Sequence, residues 1–193
     1  MFEMNVFSKK IIYFCLGIFL MTDADGSSSS STEKQPFLKV VISEQKMYLY
    51  ENTALVKTYP ISTSKYGIGN REGSFKTPLG KHIIVKKIGH DLPINTILKD
   101  RKSTGKIASI KTKPEEHAED VITSRILWLK GLEPDMNKGK NVDSFKRFIY
   151  IHGTASEGMI GRPASNGCIR MKNKDVVDLF NRVQEKTPVL ITE

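Results

Sequence analysis

At 193 residues, with 39% hydrophobic and 26% charged side chains, the chain is long enough for one domain with a full core, too short for two comfortable ones, and not composed like a disordered protein. Its net charge of +9 comes from cations interspersed with acids, without any nucleic-acid motif, and so points away from DNA or RNA. A basic surface facing an anionic polymer or a membrane is the reading that remains.

Lys9 and Lys10 precede an uninterrupted apolar run over residues 11–21, after which Thr22-Asp23-Ala24 offers small residues where a signal peptidase reads. Those eleven residues rise roughly 16 Å as a helix, short of the roughly 30 Å hydrocarbon core. Residues 1–24 therefore read as a signal peptide cleaved near Ala24, with an uncleaved anchor, the chain's one contact with a membrane, as the alternative. Cys15 is not placed as a lipid acceptor, because Ile12-Tyr13-Phe14 lacks the small residues that should precede one. The sequence has two cysteines, and cleavage removes Cys15. Cys168 is then alone in an oxidising compartment, where an odd thiol is either paired between molecules or reactive.

Residues 25–36, serine-rich over 27–32, read as a flexible linker, and residues 37–193 as the folded domain. Near-alternating β-branched and aromatic residues at 38–42, 46–50 and 55–61, separated by three-residue polar turns, predict an antiparallel meander. Over 62–80, four glycines and a proline predict a shaped loop. Gly67-Ile68-Gly69 there is not followed by Gly-Lys-Ser/Thr, which excludes a phosphate loop. Strand character resumes at 81–87.

Residues 89–123, with lysines and arginines ahead of Glu115, Glu116, Glu119 and Asp120, read as a variable insertion: a solvated surface segment, or a lid over the site. His90 and His117 within it lack partners at ligand spacing, so no metal is expected. A buried strand is predicted at 124–130, a turn-rich connection at 131–143, and the clearest strand of the chain at 147–152. Period-two geometry puts Phe148, Tyr150 and His152 on one face, with His152 at the strand's end. Asn173 is expected to cap a helix running to about Lys186, with Asp175 in its first turn. Val176, Val177, Leu179, Phe180 and Val183 form its packing stripe, and a last strand follows at 187–191.

The chemistry concentrates in Ile151-His152-Gly153-Thr154 and Ala164-Ser165-Asn166-Gly167-Cys168-Ile169-Arg170-Met171. A thiol works as a nucleophile only when deprotonated, and a neighbouring imidazole can take its proton and later return it to a leaving amine. His152 and Cys168 are the candidate base and nucleophile. Gly167 permits a turn that aims backbone N–H groups at a developing oxyanion. In an extended segment Arg170 projects from the same face as the thiol, suited to hold a carboxylate bidentately. Taken singly, Cys168 in a buried strand is packing and His152 beside a glycine is a strand terminus; their joint occurrence with Ser165, Gly167 and Arg170 favours a catalytic thiol.

Those two segments resemble the signature of the L,D-transpeptidases of the YkuD type, bacterial cell-wall enzymes. Ser62-Thr63-Ser64, Lys76-Thr77-Pro78-Leu79-Gly80 and residues 124–129 also look like landmarks of that family. The resemblance implies a mostly β fold, a sandwich or barrel-like domain with a C-terminal helix, and no cofactor or metal. It implies peptidoglycan stem peptides as partners, a tetrapeptide donor and a diaminopimelate amine acceptor, and no nucleic acid. The work would be done in the periplasm or on the wall side of a bacterial inner membrane. Cys168 would be the nucleophile and His152 the general base, with the oxyanion hole at the Gly167 and Cys168 backbone, and Arg170, Ser165, Asn166 and Gly153 facing or supporting the substrate. One position departs from the family's usual Ser-His-Gly-Cys: Asn166 stands where that histidine would be, and an amide cannot titrate near neutrality.

Three other readings compete. Sortases also order histidine, cysteine and arginine, but on a separate strand for the arginine, whereas Arg170 follows Cys168 by two. Papain-like cell-wall peptidases run cysteine before histidine. A non-catalytic peptidoglycan-binding module would need neither Cys168 nor His152.

Overall fold

The computed structural model describes Met1 and residues 35–115 and 120–193; the expected signal segment, nearly all of the expected linker, Cys15 and His117 lie outside the described residues. Among the described residues no helix is long and apolar enough to cross a membrane.

The expected meander is present as β1 (Pro36–Val41), β2 (Lys46–Glu51) and β3 (Ala54–Ser62), antiparallel throughout. Its alternation sorts Leu38, Val40, Met47, Leu49, Tyr59 and Ile61 to complete burial on one face. The chain continues through β4 (Gly80–Ile88), β5 (Thr96–Lys99), β6 (Lys102–Ile107), β7 (Ile122–Gly131), β8 (Tyr150–Thr154), β9 (Ile169–Met171), α1 (Asn173–Arg182) and β10 (Pro188–Thr192). The sheet runs β4-β10-β1-β2-β3-β9-β8-β7, and β4 pairs again with β7. That last pairing closes eight strands into a barrel, and β5 and β6 continue the sheet outward from β7. Parallel pairing occurs between β1 and β10 and between β8 and β9.

All eight barrel strands send apolar side chains into one core, which Val176, Leu179 and Phe180 of α1 complete. Each such buried side chain stabilises the fold by about 1.5–3 kcal/mol. On β7 and β8 the opposite face carries a second, smaller cluster of Ile126, Trp128, Tyr150 and Leu98, against which Cys168 packs. The fold thus presents one face of β8 and β9 to the core and leaves the other for a site.

Three expectations change. Residues 89–123 are not featureless: β5 and β6 form a hairpin whose turn puts Asp100 and Arg101 at φ 49° and 65°, and β5 pairs with the start of β7. The strand predicted from residue 147 begins instead at Tyr150. Phe148 has a left-handed φ of 57°, and the Arg147 guanidinium is drawn away to the carbonyls of Asn70 and Lys76 at 2.8 and 2.6 Å. His152 is consequently the middle residue of β8, paired with Ile126 on one side and Arg170 on the other, not a strand end.

The helix also differs at both ends. Asn173 is its first residue and not its cap; the carboxylate of Glu157 caps it from outside, accepting the Asn173 backbone N–H at 2.7 Å. Four residues earlier than expected the helix stops at Arg182, where the Lys87 ammonium donates to the carbonyls of Phe180 and Val183, both at 2.6 Å. The Asn173 side chain is freed by this for a different task. Its Oδ1 accepts from the Thr123 and Ser124 hydroxyls, and its Nδ2 donates to the Thr154 carbonyl, which ties α1 to β7 and β8 beside the site.

A buried histidine on β4 makes the fold acid-sensitive. His82 Nδ1–H donates to the Gly80 carbonyl, so Nε2 accepts from Ser144 Oγ, and burial pulls its pKa down to about 4. Above about pH 6.5 it is neutral folded or unfolded. As pH falls below that, only the unfolded chain binds the proton until about pH 4, so stability is lost across this window, by up to about 3 kcal/mol. Thermal melts from pH 7 to 4 are expected to show a shallower fall for His82→Gln than for the native protein.

Candidate active site

The turn that delivers Cys168 is fastened before the strand begins. Ala164 and Ser165 N–H groups both donate to the Thr63 carbonyl at 2.9 Å, and Lys65 N–H donates to the Ser165 carbonyl at 3.1 Å. Thr77 Oγ1 donates to the Gly167 carbonyl at 3.0 Å while accepting from Ser64 N–H. The glycine- and proline-rich loop read from the sequence is therefore the cradle of the 165–168 turn. Gly167 is required here twice over: its φ is 114°, and a Cβ would lie 3.3 Å from the Lys76 carbonyl oxygen.

Cys168 emerges at the start of β9 opposite the entry to β8. Its thiol donates to the Phe148 carbonyl and accepts from Tyr150 N–H, each at 3.4 Å. Parallel register aligns Ile151 with Ile169 and His152 with Arg170, so Ile169 and Met171 enter the core while Cys168 and Arg170 share the outer face with Tyr150 and His152. Cys168 and His152 are diagonal neighbours across adjacent strands, a relation that spans roughly 7–8 Å between backbones, within reach of a long side chain.

His152 is only 1% exposed, and its Nδ1 lies 2.8 Å from the Gly153 carbonyl. A carbonyl only accepts, so Nδ1 carries the proton and Nε2 the lone pair. Burial lowers the pKa of His152, Arg170 lowers it further, and the Asp120 carboxylate and the Gly153 bond oppose them. The thiol moves the other way: burial pushes Cys168 up to about 12, with Asp120 adding to the rise and Tyr150 N–H, Arg170 and Arg147 opposing it. At neutral pH the pair accordingly rests as a neutral thiol beside a neutral imidazole.

Arg170 is buried and meets the partly exposed carboxylate of Asp120 at 2.8 Å. The guanidinium expected to face a substrate is thus engaged by the protein itself. Ser165 is fully buried; its hydroxyl donates to the Cys168 carbonyl at 2.6 Å and accepts from Gly167 N–H at 3.2 Å, so it braces the turn. That second bond engages with Ser165 the Gly167 N–H that the resemblance gives to the oxyanion hole. Gly153 serves packing: a Cβ there would lie 2.6 Å from the Thr123 carbonyl oxygen. Asn166, by contrast, is exposed and lines a cavity of about 210 Å³ with Glu72, Phe75, Arg147 and Phe148.

Several residues of this site went unread in the sequence. Asp120 reaches it through an ion pair across some fifty positions, Arg147 binds loop carbonyls, and Arg101 donates to Tyr150 Oη at 3.3 Å while lying over the Trp128 and Phe148 rings. Arg101 also lines a second cavity, of about 350 Å³, with Asp100, Ile122, Ile126, Phe148 and Tyr150. Phe148 stands between the two cavities, and its carbonyl holds the thiol. Among the described residues no group of three or more His, Cys, Asp or Glu side chains is placed to hold a metal ion.

The family model for the L,D-transpeptidase catalytic domain matches residues 35–191. The chain is 27% identical over 155 residues to the Bacillus licheniformis protein named as L,D-transpeptidase YkuD, covering 80% of this chain and 64% of that one. It is 51% identical over 47 residues to the Bacillus subtilis protein named as L,D-transpeptidase YqjB, covering 24% of this chain and 27% of that one. The chain therefore spans between about a quarter and just under two thirds of the length of these relatives. Its fold is shared with L,D-transpeptidase 3 from Mycobacterium tuberculosis, solved in complex with a faropenem-derived adduct, at a TM-score of 0.52 and 14% identity over 83% of this chain and 61% of that one. With a mostly β barrel, a single C-terminal helix and a family match over nearly all of the folded part, the chain belongs to the YkuD family of L,D-transpeptidase catalytic domains.

Proposed function

We propose that the protein is a cysteine-dependent peptidoglycan L,D-transpeptidase acting outside the cytoplasm. The observation that carries this is the pairing of a partly exposed Cys168 with His152 on one face of β8 and β9, the imidazole fixed through Nδ1 on the Gly153 carbonyl. That tautomer leaves Nε2 as the acceptor for the thiol proton.

Cys168 Sγ attacks the carbonyl of the L-centre of diaminopimelate in a tetrapeptide stem, forming an S–C bond as its proton passes to His152 Nε2. With Gly167 N–H engaged, the Cys168 N–H is the donor this turn offers the oxyanion. Collapse breaks the C–N bond to D-alanine, whose nitrogen takes the proton from His152, and leaves a thioester. The side-chain amine of another stem's diaminopimelate then attacks, loses a proton to Nε2, and expels the thiol as the 3→3 link forms. Water in place of the amine makes the same chemistry an L,D-carboxypeptidase. Asn166, exposed beside the Glu72–Phe148 cavity, contacts the stem peptide as a neutral hydrogen-bonding group.

Incubating purified protein with disaccharide tetrapeptide and separating products by mass tests this. Loss of D-alanine with a cross-linked dimer is the expected result. Loss without dimer selects the carboxypeptidase, and unchanged substrate with an intact fold leaves a non-catalytic wall-binding module.

A further inference from the structure

Among the described residues, Asp120 is an acidic side chain that the structure brings to Arg170, at 2.8 Å. Its position is fixed by chain geometry. Ile122, two residues on, is paired with Thr154 of β8 on one side and with Leu98 of β5 on the other, so Asp120 lies just beyond a three-strand junction. Arg170 is in turn the register partner of His152. The Asp120 carboxylate thus meets the guanidinium of the residue that is paired across β8 and β9 with His152, and Cys168 lies two residues before that arginine.

We infer that Asp120 is a positioning residue for this site: by offsetting the charge of Arg170 it allows His152 to accept the Cys168 proton and to hold it as an imidazolium. A buried guanidinium beside an imidazole opposes its protonation, and a carboxylate paired with that guanidinium restores it. Desolvated charges of this kind act strongly because little water screens them. The electrostatic influence of Asp120 extends to both reacting groups, favouring protonated imidazole and protonated thiol. The other groups acting on them are Arg170 on β9, the Gly153 carbonyl and Tyr150 N–H on β8, and Arg147 ahead of β8, while β7 presents the apolar Ile126 to His152.

This inference rests on the reading of Cys168 and His152 as nucleophile and base, and its test separates the two. In Asp120→Asn, the acid limb of kcat/KM is expected to move to lower pH by about one unit, and the pH dependence of Cys168 alkylation by iodoacetamide to move down with it. The plateau kcat falls roughly tenfold or more as the base weakens. Asp120→Glu restores the wild-type limb, and Asp120→Asn combined with Arg170→Gln returns it toward wild type because both charges are gone. A structural role alone would lower the rate in all variants without moving either profile, and that result overturns the inference. Should Asp120→Asn fail to fold, Arg170→Gln alone decides: it leaves the Asp120 carboxylate unopposed, so the acid limb is expected to move to higher pH, and an unmoved limb overturns the inference. Alkylation that shifts in a protein without turnover supports the Asp120 inference and removes the transpeptidase reading; turnover with unshifted profiles does the reverse.

Discussion

Cys168→Ala protein is expected to release no D-alanine from a tetrapeptide stem, its rate falling by roughly 10⁴-fold or more, because no other group in the turn can form the thioester. Orientation and the oxyanion donor alone leave a small residue of rate above that in water, and nothing above it. The loss is not a folding defect. Cys168 packs at the edge of the smaller cluster, and removing its sulfur there costs about 1 kcal/mol, visible as a shift of a few degrees in the melt with the circular dichroism unchanged. Intact wild-type protein is expected to gain the mass of a carbapenem on incubation with one, and Cys168→Ala protein is expected not to. Turnover retained in Cys168→Ala, with intact mass confirming the substitution, would remove the thioester from the mechanism.

How much of this was legible beforehand depends on the range over which each feature is encoded. The meander, β7 and the last strand follow from period-two alternation within single segments, and the loop over 62–80 from its glycines and proline. Cys168, His152 and Arg170 were legible because two short segments carry them and β-strand alternation places them on one face. What escaped is encoded across the chain. The helix stops where Lys87, almost a hundred residues earlier, reaches its carbonyls; it starts at Asn173 because Glu157 supplies the cap. Local capping rules named Asn173 as the cap since they see its amide but not the Thr123 and Ser124 hydroxyls that claim it.

The same limit explains the roles that shifted within the site. A spacing argument gave Arg170 to the substrate, since an arginine two residues from a nucleophile on one face is suited to a carboxylate. It had no means of seeing that Asp120, in the segment least readable by periodicity, supplies that carboxylate from within the protein. Ser165 and the Gly167 N–H likewise bond each other, a two-residue turn that a serine before a glycine favours but that the oxyanion assignment overlooked. The site is more self-contained than its sequence suggests. The charge of Arg170 is matched internally, and the thiol, Asn166 and the aromatic and charged walls of the two cavities are left to meet a substrate.

That self-containment shapes the second large effect, the replacement of His152. In the resting protein neither member of the pair is charged, because burial holds the thiol up near 12 and the imidazole down. The proton must therefore move as Sγ bonds to carbon, and the rate on the acid side follows the fraction of neutral imidazole. Since the His152 pKa is lowered, wild-type kcat/KM should stay level as pH drops to about 6.5, the ordinary histidine value, and decline only below it. His152→Gln fills nearly the same buried volume but takes no proton, and is expected to lower kcat by about 10²–10⁴-fold with little change in KM. Its acid limb disappears as well. The remaining rate should climb steadily through the alkaline range as hydroxide does the work of the imidazole and thiolate becomes populated. External imidazole should rescue little, because the native ring is 1% exposed and the glutamine side chain fills its place. A His152→Gln enzyme that kept the wild-type acid limb would locate the proton acceptor on a different group, and the thiol would then have to be read against that group instead.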